Sequence, residues 1–132
     1  MVKVSDIIFC VKATNVDGEG ASANIILTSL LPEYIPGLFT FSVIVTILGV
    51  DLSQEHNLLV QFFSPEEQET VRVDGPMPIM EDDSDLPLEY RGVNVAMDWT
   101  NVNFKTSGIY TIVITLDGEE LAKKEIYVKG KN

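Results

Sequence analysis

The sequence contains one cysteine and one histidine among its 132 residues. The single cysteine, Cys10, excludes an internal disulfide, and a chain of this length can bury a sufficient core without one. With His56 as the sole imidazole, the chain cannot build a histidine-based metal site. The sequence also contains neither a nucleophile elbow nor a glycine-rich phosphate loop. We therefore expect no catalytic residues, no cofactor and no enzyme activity.

Long apolar runs and basic clusters are also missing. The longest apolar stretch, LFTFSVIVTILGV, has about 13 residues, too few to span a bilayer as a helix. The segment MVKVSDIIFCVKA lacks the apolar region and the small-residue cleavage site of a secretion signal. Nine basic residues against 20 acidic ones give a net charge of −11. We therefore expect a soluble, cytoplasmic protein that binds neither nucleic acid nor a membrane surface.

Most of the negative charge lies in residues 64–89, which carry nine acidic residues and one basic residue. Within this segment Glu81, Asp83 and Asp85 alternate, and a hard cation such as calcium prefers several carboxylate oxygens. An EF-hand loop requires a glycine at its sixth position, which this stretch lacks. A solvated loop that protects a sheet edge is the simpler interpretation, and carbohydrate or calcium binding by the acidic segment 80–89 is the alternative function.

Alternation of apolar and polar residues, the pattern of β-strands, runs through almost the whole chain. The odd positions from Phe39 to Ile47 are apolar, which predicts a central strand. A change of parity near Asn101 predicts a bulge or tight bend. The spacing of strands and turns favours an all-β, antiparallel sandwich of seven to nine strands, in a single domain of residues 1–132.

The last predicted hairpin, TSGIYTIVITLDGEELAKKEIYV, turns at an Asp-Gly pair. A two-residue turn would send Ile126 and Val128 to the face opposite Leu121. A three-residue loop with Gly118 as a left-handed bulge brings both residues to the inner face. The pattern favours that loop, and a later bulge at residues 123–125 is the alternative.

The segment SGIYTI resembles the tyrosine-corner region of immunoglobulin-like domains, in which a tyrosine begins the penultimate strand. The resemblance implies that the Tyr110 hydroxyl donates a hydrogen bond to a nearby backbone group. In those domains a cysteine follows two residues after the tyrosine, and here that position is Ile112. The chain is therefore similar to an immunoglobulin-like sandwich without its disulfide.

Over nearly its whole length the chain also resembles a bacterial family of small uncharacterised proteins with an immunoglobulin-like sandwich, a domain of unknown function. The matching segments are IIFCVKA, IPGLFTFSVIVTI, EHNLLVQFFSPE and the last hairpin. The resemblance implies the fold and brings no established activity.

The predicted core consists of apolar residues on the inner faces of the strands: Ile8, Phe41, Val43, Val45, Leu58, Val60, Phe62, Val95, Met97, Trp99, Tyr110, Ile112 and Ile114. Cys10 is expected to be buried and inert. Met77 and Met80 are expected to cover a sheet edge rather than form a contact patch. His56 is interpreted as a loop histidine at the start of a strand.

These features predict a non-enzymatic binding or structural module in a larger assembly, because the fold offers edges and loops to partners. The expected partner is another protein, or a second copy of the chain, that contacts an edge strand. Tyr110, Trp99 and Gly118 are assigned structural roles.

Overall fold

The computed structural model describes residues 2–16, 20–79 and 86–132, and within them nine strands form two sheets that pack face to face. The first sheet has the strand order β2-β1-β4-β7 and the second β3-β9-β8-β5-β6, with all pairings antiparallel except β3 with β9. The prediction of an all-β sandwich is confirmed. The strands are β1 (Lys3–Val16), β2 (Gly20–Leu27), β3 (Ser29–Leu30), β4 (Gly37–Leu48), β5 (Asn57–Phe63), β6 (Glu69–Pro76), β7 (Gly92–Phe104), β8 (Gly108–Leu116) and β9 (Glu119–Val128).

The strand with the cleanest alternation, β4, lies in the interior of the first sheet between β1 and β7. Its residues Phe41, Val43 and Val45 are fully buried in the core. On the outer face of the same strand, Ser42 donates a hydrogen bond from Oγ to the carboxylate of Asp98. The predicted central position of this strand is confirmed. The rest of the described chain adds one short 3₁₀ turn, Leu88–Tyr90, and contains no helix long and apolar enough to cross a membrane.

Aromatic rings fill the centre of the core, where the two sheets meet. The ring of Phe62, on β5, lies within 6.3 Å, centre to centre, of five other rings. Such clusters of tilted rings contribute more than their buried area alone. The rings around Phe62 belong to Phe9, Phe41, Trp99, Phe104 and Tyr110.

Val95 and Met97 are half-buried against the core, and all the other predicted core residues except one are buried.

The exception is Ile8, whose prediction as a core residue is wrong. Its neighbours Ile7 and Phe9 are buried in the core between the sheets. In the pairing of β1 with β4, Ile7 lies opposite Val45 of the core, so Ile8 lies on the outer face, opposite Ile44. The segment IIFCV, residues 7–11, is apolar at every position, so alternation could not show which face is inward.

Strand β7 changes parity near Asn101, as predicted. Asn101 has a φ of 53° and lies where the register between β4 and β7 shifts. Before this bulge Trp99 is buried, and after it Val102 and Phe104 are buried. The extra residue therefore lets both halves of the strand face the same core.

The last hairpin has a two-residue turn, so the predicted three-residue loop is wrong. Asp117 and Gly118 form the turn with φ values of 51° and 83°, the signature of type I′, whose twist matches that of the flanking strands. The register shifts further along β9, where Leu121 forms a bulge. This bulge restores the expected inward position of Ile126 and Val128, both of which are buried.

The same register places Lys124 opposite Ile112, a residue of the core. Its side chain reaches the other sheet, where Nζ donates to the carbonyl oxygen of Ile7 at 2.6 Å and lies 5.8 Å from the centre of the Phe9 ring. A lysine is tolerated at this position because its stem lies along apolar surface while its ammonium group is hydrogen-bonded.

Tyr110 forms a corner at the start of β8. Its ring is buried, and its hydroxyl donates a hydrogen bond to the carbonyl oxygen of Thr106 at 2.8 Å. This is the hydrogen bond that the resemblance to a tyrosine corner implies. Two residues on, the side chain of Ile112 is fully buried and takes the place of a cysteine by packing.

Candidate binding edge

His56 has both ring nitrogens engaged. Nδ1 lies 2.6 Å from Oδ2 of Asp117, and Nε2 lies 2.8 Å from the carbonyl oxygen of Asp51. Both partners are hydrogen-bond acceptors, so the ring satisfies both contacts when it is protonated on both nitrogens and positively charged. The hydrogen bond to Asp117 raises the pKa of His56 and lowers the pKa of the Asp117 carboxyl. In this geometry neither ring nitrogen of His56 is free to accept a proton as a general base.

The contact of His56 joins segments that are distant in sequence. Oδ1 of Asp117 accepts a hydrogen bond from the amide of Asn57 at 2.8 Å, and the amide of Asp117 donates to the carbonyl oxygen of Asn57 at 2.9 Å. The turn between β8 and β9 is thereby fixed to the start of β5. Sequence reasoning placed His56 at the start of a strand but missed Asp117, because no local pattern links residues this far apart.

The distal half of the hairpin formed by β1 and β2, residues 12–16 and 20–24, folds over the outer face of the first sheet, and we call it the arm. Its alanines pack against Ile44 of β4 and Ala96 of β7. At its far end, a Cβ atom on Gly20 would lie only 3.3 Å from Nδ2 of Asn94. The packed alanines are Ala13, Ala21 and Ala23.

Cys10 is buried beneath the arm, as its apolar neighbours predict. Its side chain is fully inaccessible and lies in the same small cluster as Ile44. Burial raises the pKa of the Cys10 thiol, and the charge of Asp98 raises it further. Since the thiolate is the nucleophilic form, this position disfavours reaction of the thiol.

The outer edge of β2 is open. β2 is the terminal strand of the first sheet, and no other strand among the described residues pairs with that edge. Beside the arm, Ile25 and Ile26 expose 64% and 63% of their surface. The strand contains no charged residue and no proline over its eight residues. Natural edge strands are usually protected by charge, proline or very short length, and β2 has none of these.

Ile25 also has an unfavourable backbone conformation. Its φ of 57° is left-handed, which costs a β-branched residue about 1–2 kcal/mol. Burial does not offset this cost, because most of the side chain is exposed. Neither local conformation nor the core of the chain therefore explains an isoleucine at this position, and such local conflicts are expected at functional sites.

The substitution Ile25→Asn should raise the free energy of unfolding by about 1 kcal/mol, because asparagine adopts the left-handed conformation at lower cost. Urea denaturation of the dilute protein measures this change. The matched control is Ile26→Asn, which has the same exposure without the positive φ and should change stability by about 0.5 kcal/mol or less. A loss of stability in Ile25→Asn would contradict the strain at this position.

The edges of the second sheet are protected. On β6, Arg72 forms ion pairs with Glu69 at 3.0 Å and Asp74 at 3.5 Å. The other edge strand, β3, has only two residues. Charge and short length are both devices that discourage pairing with another chain, so β2 differs from these two strands.

The remaining predicted site residues fall outside this edge. Met77 is buried against the core, so it does not form an exposed contact patch. Met80 and the acidic residues Glu81, Asp83 and Asp85 lie outside the described residues. Elsewhere in the described chain, no three potential metal ligands come together.

Comparison with solved structures finds a similar fold and a weaker match. An immunoglobulin-like protein from Pseudomonas aeruginosa is 15% identical, with a TM-score of 0.52 over 98% of this chain and 97% of that one. A β-glucosidase from Listeria innocua, solved in complex with isofagomine, is 10% identical, with a TM-score of 0.42 over 92% of this chain and 16% of that one. The first similarity confirms the immunoglobulin-like sandwich and shows the fold alone. The comparison with curated proteins found no match.

The family comparison covers most of the sequence. Residues 6–129 match a family of unknown function, DUF6941. The matched range contains Cys10, the long strand β4, His56 and the last hairpin, which are the segments on which the resemblance to an uncharacterised family rests. The chain belongs to the family of unknown function DUF6941, with the fold of an immunoglobulin-like sandwich.

Proposed function

We propose that this chain is a non-enzymatic binding module of a larger assembly, and that it pairs the open edge of β2 with a strand of a protein partner. The observation that carries the proposal is the pair of exposed isoleucines, Ile25 and Ile26, on an uncharged terminal strand. A strand added to such an edge gains main-chain hydrogen bonds, and its alternate side chains provide specificity.

The chemistry of the titratable groups supports binding rather than catalysis. Both ring nitrogens of His56 are held by hydrogen bonds, and Cys10 is buried with a raised pKa. The proposal takes residues 1–132 as one domain and places it in the cytoplasm, where a thiol stays reduced. The alternative of carbohydrate or calcium binding depends on Glu81, Asp83 and Asp85, and no observation in the described chain favours it.

An apolar groove between β6 and β7 is the competing surface, and it is less suited to a strand. Its walls include Val73, Val95 and Met97, but Asp74 and Asn94 also line it. The acidic side chain lies beside any backbone that would enter the groove. β2 offers a longer uncharged edge, so the proposal assigns binding to β2.

Photo-crosslinking in cells that produce the protein tests the proposal. Replacing Ile26 with benzoylphenylalanine should yield a covalent adduct with a protein after irradiation. The same replacement of Leu38, which is 60% exposed on β4 and not on β2, should not yield that adduct. Lack of any adduct from position 26, or the same adduct from both positions, would overturn the proposal.

A further inference from the structure

We infer that the groove between β6 and β7 binds a small, uncharged, apolar molecule. β6 ends the second sheet and β7 ends the first, and the two strands line one groove of about 470 Å³. Small-molecule sites are typically apolar clefts of about 300–1,000 Å³ with a few polar groups. The occupant is a small molecule and not a strand, so this inference goes beyond the proposed function and does not depend on it.

The β7 wall of the groove is formed by residues that face the core but are not fully covered. Val93, Val95 and Met97 pack against the core and are half-buried. Trp99, two residues further along the strand, is buried and lies outside the groove. The open part of this wall, residues 93–97, is therefore about 13 Å long. A small molecule placed there would remove from water apolar surface that the described chain leaves accessible.

On the β6 wall, Gly75 leaves space where a side chain could lie. In the pairing of β5 with β6 it lies opposite Leu58, a buried core residue, so this position faces inward. A Cβ atom on Gly75 would have no heavy atom within 4 Å outside its chain neighbours, and its φ is not positive. Neither backbone conformation nor close packing therefore requires glycine here. A glycine within a strand often marks a place where a ligand approaches closely.

The polar groups of the groove indicate an uncharged ligand. Among the described residues that line it, Asp74 alone is charged. Its Oδ1 accepts a hydrogen bond from Nδ2 of Asn57 at 2.9 Å, and its Oδ2 lies 3.5 Å from the guanidinium group of Arg72. Oδ1 of Asn94 likewise accepts from Oγ1 of Thr46 at 2.5 Å. The carboxylate thus has partners outside the groove and is not a free counter-charge for a cation, while its own charge and the net charge of −11 disfavour an anion.

Fluorescence titration of the full chain with N-phenylnaphthylamine, an uncharged apolar dye, tests the inference. We expect saturable binding with a dissociation constant of about 100 µM or tighter. Anilinonaphthalene sulfonate has the same apolar body with an added anionic group, and it should bind at least about tenfold more weakly. No saturable binding of the uncharged dye, or equal binding of the two dyes, would overturn the inference.

The substitution Gly75→Val should fill the groove and weaken binding of the uncharged dye at least about tenfold. Thermal melting should show a midpoint at least as high as that of the unmodified chain, because valine is favoured over glycine in a strand and the position is open. Loss of binding in a variant of undiminished stability cannot be attributed to unfolding. Unchanged affinity in Gly75→Val would show that the dye binds elsewhere and would overturn the inference.

A pair of charge substitutions locates the site independently of Gly75. Val73 lines the groove and is 37% exposed, whereas Ile109 is 38% exposed on β8 and lies outside the groove. Both positions should accept a charge without loss of the fold, which circular dichroism checks. Val73→Glu should weaken binding of the uncharged dye at least about tenfold, and Ile109→Glu should bind it like the unmodified chain. Equal affinities in the two variants would overturn the assignment of the groove.

Discussion

Phe62→Ala should lower the free energy of unfolding by about 3–5 kcal/mol, because it leaves a large cavity at the centre of the core. The Phe62 ring lies between 5.4 and 6.3 Å, centre to centre, from five other rings. Four of those rings belong to the first sheet and one to the second, so the backbones of both sheets limit collapse into the cavity. Small domains are stable by about 5–15 kcal/mol, so the variant should be close to unfolding.

The matched control is Phe63→Ala, one residue further along β5. Phe63 points to the outer face of the second sheet and is half-buried, so its loss should cost about 1 kcal/mol or less. Urea denaturation followed by fluorescence measures both variants. Trp99 is the single tryptophan, and its ring lies 5.6 Å from that of Phe62. Equal costs for the two variants would contradict the assigned faces of β5.

Alternation in the sequence was sufficient where the outward positions of a strand are mostly polar. It placed the inward residues of β4 correctly, including Phe41, because Thr40, Ser42 and Thr46 on the opposite face are polar even though the arm covers part of that face. It failed at Ile8, because both faces of β1 are apolar there. A strand with apolar residues on both faces loses the signal that identifies its inner face.

In the last hairpin, the turn type depends on the local sequence, whereas the register of the strands also depends on contacts between distant residues. The Asp-Gly pair gives a type I′ turn through local backbone preference, which the sequence shows. The need for a register shift was also visible in the pattern. The position of the register shift, at Leu121, was not visible in the pattern. The register also depends on contacts across the sheets, such as that between Lys124 and the carbonyl oxygen of Ile7. Such a contact joins residues far apart in the chain and leaves no local pattern.

The sequence predicts that a partner contacts an edge strand, but it does not show which strand forms that edge. The segment ANIIL has the composition of an ordinary strand, and only the strand order shows that β2 ends its sheet. The positive φ of Ile25 is likewise invisible in the sequence, since isoleucine rarely adopts it. Edge position arises from long-range pairing, which periodicity along one strand does not contain.

Asp117→Asn should lower the free energy of unfolding by about 1–2 kcal/mol near pH 6. This range is discounted for solvent screening, because the Asp117 side chain is 47% exposed while that of His56 is 16% exposed. Asn-Gly is a favoured type I′ pair, so the turn before Gly118 is retained. The new amide oxygen can still accept from the amide of Asn57, so the substitution removes mainly the charge that faces His56.

The sign of the pH dependence follows from the two pKa shifts. The pKa of His56 is raised, so its contribution is complete below the ordinary histidine value of about 6.5 and is lost as pH rises through the raised pKa. The pKa of Asp117 is lowered, so its contribution is complete above the ordinary aspartate value of about 3.9 and is lost as pH falls through the lowered pKa. The pair therefore stabilises the chain most between about pH 4 and 6.5.

Urea denaturation at pH 6 and at pH 8.5 measures this contribution. The unmodified chain should lose about 1 kcal/mol between the two values, and Asp117→Asn should lose much less. His56→Gln provides the matched control, because it removes the titrating ring and leaves the carboxylate in place. If the contact acts as one unit, the double variant should be hardly less stable than either single variant. Additive losses, or an unchanged slope in Asp117→Asn, would show that the ring is charged for another reason, with Asp51 as the remaining acidic neighbour that acts on it.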